Sequence, residues 1–139
     1  TGQKVYWTSK YVGKGLAKPD VANVIVLRLS EMYLNRAEAK IRGGLSEYDA
    51  VADIAMVAEN RGAAASPATP AGVMLERQKE FAWEAHLWFD LGRTKQNMTR
   101  TDVADGIVKT VEWGANIWAM PIPEREHSVN ANLVRNPGY

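Results

Sequence analysis

The chain has 139 residues, 46% hydrophobic and 24% charged, with a net charge of +1. A domain of this size buries roughly 68–70% of its unfolded surface, and the near-zero charge excludes an electrostatic footprint for nucleic acid or anionic lipid. The lack of cysteine excludes disulfides, thiolate metal sites and cysteine nucleophiles, and no stretch approaches the ~20 apolar residues of a membrane-spanning helix.

Residues 1–23 read as an irregular entry segment, in which Gly13, Gly15 and Pro19 interrupt any periodicity and Tyr6, Trp7 and Tyr11 supply aromatic surface. The β-branched run from Asn23 to Leu27 suits extended chain. A first helix is expected over about Leu27 to Arg42, stopped by Gly43-Gly44. A second follows over about Ser46 to Arg61, with Ser46 and Asp49 spaced as a capping box and Gly62 as its stop. Together they make an antiparallel helical hairpin.

After the small-residue linker 63–68, Thr69-Pro70 offers an N-cap followed by proline at the first helical position. The spacing predicts a long third helix from Pro70 to Leu91. Its apolar stripe carries Met74, Phe81, Ala85, Trp88 and Phe89, widened by Trp83 and Leu87. Its polar side carries Glu76, Arg77, Lys79, Glu80 and Glu84. Beyond Gly92, residues 97–106 are polar and expected to loop out, and Ile107 to Val111 is β-branched. Met120-Pro121-Ile122-Pro123 is too rich in proline for a central strand. Glu124 to Val129 fits one short helical turn, and the tail from Asn130 is extended and turn-rich. The expected fold is mainly α: a helical hairpin and a long third helix, with irregular loops and short β segments.

Little of this pattern points to catalysis. Glu76, Glu80 and Glu84 share a helix face at i, i+4 and i+8, but Arg77 and Lys79 are interleaved, which favours a solvated charged face over acid–base chemistry. Glu84 and Asp90, closer to the aromatic stripe, are expected to pair with Arg93 or Arg36. His86 and His127 lack metal-ligand spacing, the serines lack a nucleophile elbow, and the glycines form no phosphate-binding loop. No catalytic residue, metal or cofactor is expected. Trp83, Trp88 and Phe89 are assigned to the core, as is Trp118 among Ile117, Ala119 and Met120. Trp7, Tyr11 and Trp113 lie in irregular segments, where a flat ring can stack on a sugar. They are the candidate ligand contacts, with gap-filling burial the open alternative for Trp113.

Four ordered stretches resemble the SusD/RagB family. They are Leu27 to Ala39 (LRLSEMYLNRAEA), Glu76 to Arg93 (ERQKEFAWEAHLWFDLGR), Met120 to Glu126 (MPIPERE) and Asn130 to Tyr139 (NANLVRNPGY). Departures from the family pattern are Ala85 for a usual glycine, Leu87 for a usual arginine and Gly92 for a usual basic residue. The resemblance implies a helical fold with tetratricopeptide-like helix pairs, the whole of 1–139 being a C-terminal domain whose N-terminal part lies upstream. It implies a non-catalytic capture protein on the outer membrane of Bacteroidetes-type bacteria. Such a protein is anchored through an upstream lipidated segment and passes oligosaccharides or other nutrients to a SusC-like TonB-dependent transporter. The motifs themselves look structural, which assigns Arg36, Glu38, Glu84, Trp88, Asp90 and Arg93 to holding the fold. The alternative is a helical scaffold that docks a partner protein and binds no ligand itself.

Overall fold

A computed structural model describes residues 8, 10–11, 26–100, 107 and 109–139. The expectations for Trp7, for the entry segment apart from residues 8 and 10–11, and for 101–106 lie outside these residues. The chain divides into two compact units, Thr1–Leu87 and Trp88–Tyr139. The order is α1 (Leu29–Gly43), α2 (Ala50–Glu59), α3 (Pro70–Glu80), α4 (His86–Arg93), β1 (Met98–Thr99), β2 (Thr110–Val111), a 3-10 turn (Asn116–Trp118) and α5 (Glu124–Val129). The fold is mainly helical, as the sequence pattern implies, and among the described residues no helix is long and apolar enough to cross a membrane.

The first unit is built on α1, α2 and α3, which pack on one another. Leu34, Ala37, Ala50, Ile54, Val57, Val73 and Phe81 form its core, with Tyr33, Ile41 and Ala68 packed against it. Leu34, Ile54 and Val73 are almost wholly enclosed, and burying each such side chain contributes roughly 1.5–3 kcal/mol. Helix α1 stops at Gly44, whose φ of 66° is left-handed and whose N–H donates to Lys40 O at 2.9 Å. Helix α2 starts four residues later than expected. Its cap is Asp49 and not Ser46: the Asp49 carboxylate accepts from Val51 N and Ala52 N, satisfying two of the helix's orphan donors. Thr69 caps α3 as read from the sequence, accepting from Gly72 N at 3.0 Å with Pro70 behind it.

The long third helix is corrected to two. Helix α3 ends at Glu80, residues 81–85 form turns, and α4 begins at His86. The cause is competition for a carbonyl. In a continuous helix Glu80 O accepts the N–H of residue 84. Here it accepts from Lys10 Nζ at 2.5 Å and Arg28 Nη2 at 2.6 Å. The Glu84 N–H turns to Phe81 O instead, at 3.0 Å. Trp83 and Ala85 adopt left-handed φ values of 69° and 60°, which no α-helix tolerates.

The break overturns the expected stripe and polar face. Trp83 is 70% and Phe89 69% exposed, so neither is core; the left-handed residues Trp83 and Ala85 end the helical register that Met74 and Phe81 share. The charged side is equally reversed. Glu76, Arg77 and Glu80 are buried, because partners arriving from other segments cover them. Phe81 is buried under two guanidiniums, those of Arg28 and Arg77, at 4.8 and 5.1 Å from its ring centroid, and stacks on His86 at 4.5 Å.

In the second unit, the stretch expected to loop out contributes a strand. β1 pairs antiparallel with β2, in the register Met98↔Val111 and Thr99↔Thr110. Trp88 stacks on Trp118, ring centroids 4.0 Å apart. Trp118 is half-buried and donates its indole N–H to Glu112 O at 2.7 Å. Helix α5 occupies the span read from the sequence. The tail docks through Asn136, whose amide donates to Met120 O at 2.7 Å.

Candidate functional site

Trp113 follows β2 and sits on the second unit. Its backbone N–H donates to Asn97 Oδ1 at 2.8 Å, and its indole N–H donates to Gly92 O at 3.0 Å. The two bonds fix both ends of the residue, one to the loop before β1 and one to the end of α4. The residue remains 45% exposed. The Lys95 ammonium lies over it, 5.3 Å from the ring centroid. A flat apolar ring hydrogen-bonded at both ends can offer a stacking surface, since part of the ordering cost of an aromatic contact is met before a ligand arrives.

Tyr11 belongs to the first unit. Its hydroxyl donates to Trp83 O at 2.9 Å and the residue is 37% exposed. With Lys10, Arg28, Arg61, Glu80 and Glu84 it lines a cavity of about 220 Å³. Arg28 grips Glu84 with two bonds (Nε to Oε2 at 2.9 Å, Nη2 to Oε1 at 2.8 Å) and also pairs with the Glu80 carboxylate. Arg61 reaches Glu80 through Nη2 at 2.8 Å and Nε at 3.0 Å, and Lys10 pairs with Glu84 at 2.6 Å. Burial pushes both carboxyls up, but donated bonds outweigh it. Arg61 and Arg28 on Glu80, and Lys10 and Arg28 on Glu84, hold both below the ordinary glutamate range. Two carboxylates held ionised are unsuited to donate a proton at neutral pH. This cluster holds Lys10, Tyr11 and Arg28 against the α3–α4 break.

The residues assigned to structure are placed as follows. Arg36 grips Asp53 on α2 through Nε and Nη2 at 2.8 and 2.5 Å, and not Glu84 or Asp90. Glu38 pairs with Arg42 one turn on, at 2.7 Å. Asp90 is buried and pairs with Arg93 at 2.8 Å. Trp88 carries the stack on Trp118. Sequence reasoning missed Arg28, Arg61, Asn97 and Lys95. Arg28 and Glu80 both sit inside family-like stretches, which was the available signal. Nothing in the residues around Lys95 or Asn97 marked them. Among the described residues no group of His, Asp or Glu is arranged to hold a metal ion.

Comparison with known proteins is consistent across sequence and structure. A putative sugar binding protein from Bacteroides vulgatus ATCC 8482 superposes with a TM-score of 0.75 at 30% identity, over 91% of this chain and 31% of its own. A SusD superfamily protein from the same strain gives 0.70 at 31% identity, over 91% and 30%. Surface glycan-binding protein A from Bacteroides thetaiotaomicron gives 0.70 at 29% identity, over 84% and 25%. The chain therefore spans less than a third of the length of these solved structures. No curated protein matches it. Residues 4–139 match the model of the SusD family, and the chain belongs to the SusD family.

Proposed function

We propose that this chain is the C-terminal domain of a longer, non-catalytic capture protein at the outer-membrane surface, and that it contributes Trp113 to the binding of an oligosaccharide. The observation that carries the reading is the Trp113 ring, anchored at both ends by hydrogen bonds and still exposed. Family membership supports the same class of ligand, as do solved relatives described as sugar binding and surface glycan-binding. Tyr11 is the second candidate contact and Trp7 the third. Delivery of the captured sugar to a SusC-like TonB-dependent transporter, and anchoring by a lipid upstream, complete the proposal. A helical scaffold that only docks a partner is the competing reading.

The test is a titration of the chain with a broad panel of oligosaccharides, read by tryptophan fluorescence and by the shift in melting temperature. Binding through the platform quenches fluorescence, and Trp113→Ala weakens affinity on the order of tenfold, or about 1.4 kcal/mol. Trp113→Phe, which keeps an aromatic face, retains most of it. A panel without any response sinks the glycan reading and leaves the scaffold.

A further inference from the structure

We infer that the Trp113 platform takes a sugar unit bearing a carboxylate, with Lys95 as its charge partner. The inference rests on the stacking role proposed for Trp113 and names the class of sugar it selects.

Three observations meet at Lys95. Its ammonium stands over the Trp113 ring, 5.3 Å from the centroid. It pairs with no carboxylate among the described residues: Glu112, which precedes Trp113, makes no ion pair with it, and Asp90, the acid nearest to it in sequence, is bound to Arg93. Finally, Lys95 has a left-handed φ of 56°, just after α4, and its N–H donates to Gly92 O at 3.2 Å. Glycine or asparagine is the residue that adopts this conformation after a helix without cost. That conformation closes α4, with the next N–H, that of Gln96, donating to Leu91 O at 2.9 Å, and it leaves the Lys95 ammonium over the indole. Interaction with the α4 dipole is open to any basic residue in the last turn and does not require the ammonium to lie on the indole.

The arrangement discriminates between sugars by what each does to the ammonium. A neutral sugar stacking on the occupied face displaces the cation and gives it nothing in return. An acidic sugar displaces it from the ring and supplies a carboxylate at the rim, within reach of a flexible four-carbon stem. The cation then exchanges a weak contact with a ring for a charge-assisted hydrogen bond. Selectivity for the charged sugar follows, and because the site is exposed it weakens as salt screens the pair.

The experiment titrates the 139-residue chain with oligouronates of several backbones (galacturonate, glucuronate, mannuronate and guluronate), each beside its carboxyl-reduced neutral counterpart, at low and high salt. Sulfated neutral oligosaccharides form a separate arm, which tells a carboxylate from any other anion. The expected result is at least tenfold tighter binding of one oligouronate than of its reduced form, shrinking with salt. Lys95→Met and Lys95→Gly both remove the difference. Lys95→Gly also relieves the strain at φ 56°, so its loss of preference cannot be ascribed to misfolding. Lys40→Met on α1, which changes net charge equally, leaves the preference intact. Equal binding of charged and reduced forms, a preference that survives Lys95→Gly, or preference for sulfate over carboxylate overturns the inference while leaving the platform standing. Failure of every glycan to bind overturns the platform and the inference together.

Discussion

Ala85 stands where the resemblance leads one to expect glycine, and the structure gives that departure a measurable consequence. Its φ is 60°, in the left-handed region, and its methyl group is exposed. An L-residue there costs roughly 1–2 kcal/mol relative to the right-handed conformation, a cost that glycine does not carry. Replacing Ala85 by glycine relieves that strain and removes no packing. Against it stands the extra freedom glycine gives the unfolded chain, about 0.4–1 kcal/mol. The net expectation for Ala85→Gly is stabilisation of about 0.5–1 kcal/mol. In urea, with m of about 1–3 kcal/mol/M, the midpoint rises by a few tenths of a molar at unchanged slope. Ala82→Gly is the control, because Ala82 is also exposed and has an ordinary negative φ. It carries only the unfolded-state term and lowers the midpoint. If Ala85→Gly lowers it as much as Ala82→Gly, the left-handed strain at Ala85 is not there.

Glu80→Gln leaves Arg61 and part of Arg28 without their buried anion, and denaturant unfolding is expected to show a loss of about 3 kcal/mol. Stability should also depend on acid. The folded pKa values of Glu80 and Glu84 lie below the ordinary 4.5, so their contribution is complete above that pH and disappears as pH falls through the lowered folded values. Thermal melts between pH 7 and pH 2 check the sign, and Glu80→Gln should flatten the acid limb. Gly72→Ala places a Cβ 1.9 Å from the Pro67 carbonyl oxygen. Backbone cannot swing aside, so a loss of about 3 kcal/mol is expected despite alanine's better helix propensity, again read from urea midpoints.

What the sequence revealed and what it hid divide along the range of the interactions. The Thr69-Pro70 start, the Gly44 stop and the α5 turn after Pro123 depend on neighbours within a few residues, and each lies where local chemistry puts it. The break after Glu80 does not. Hydrophobic spacing runs through Phe81 to Phe89 without interruption, and the side chains that capture the Glu80 carbonyl come from Lys10 and Arg28, 70 and 52 residues away. The same distance concealed the burial of Glu80: a glutamate beside Arg77 and Lys79 reads as solvated until the guanidiniums of Arg28 and Arg61 fold over it. Trp113 was legible as an aromatic in an irregular segment, but not as a fixed one. Its anchors, Asn97 and Gly92, are 16 and 21 residues earlier and carry no signature of that role.

Glycan capture through Trp113 is tested most directly by NMR of the tryptophan side chains. The chain has five tryptophans, so five indole N–H resonances are expected, and the one missing from Trp113→Phe belongs to Trp113. On titration with the oligosaccharide that quenches fluorescence most strongly, the Trp113 indole resonance is expected to move most. That of Trp118, which is half-buried and stacked on Trp88, should move little. A bound sugar that leaves the Trp113 resonance in place while shifting another indole would contradict the assignment of this platform as the binding surface.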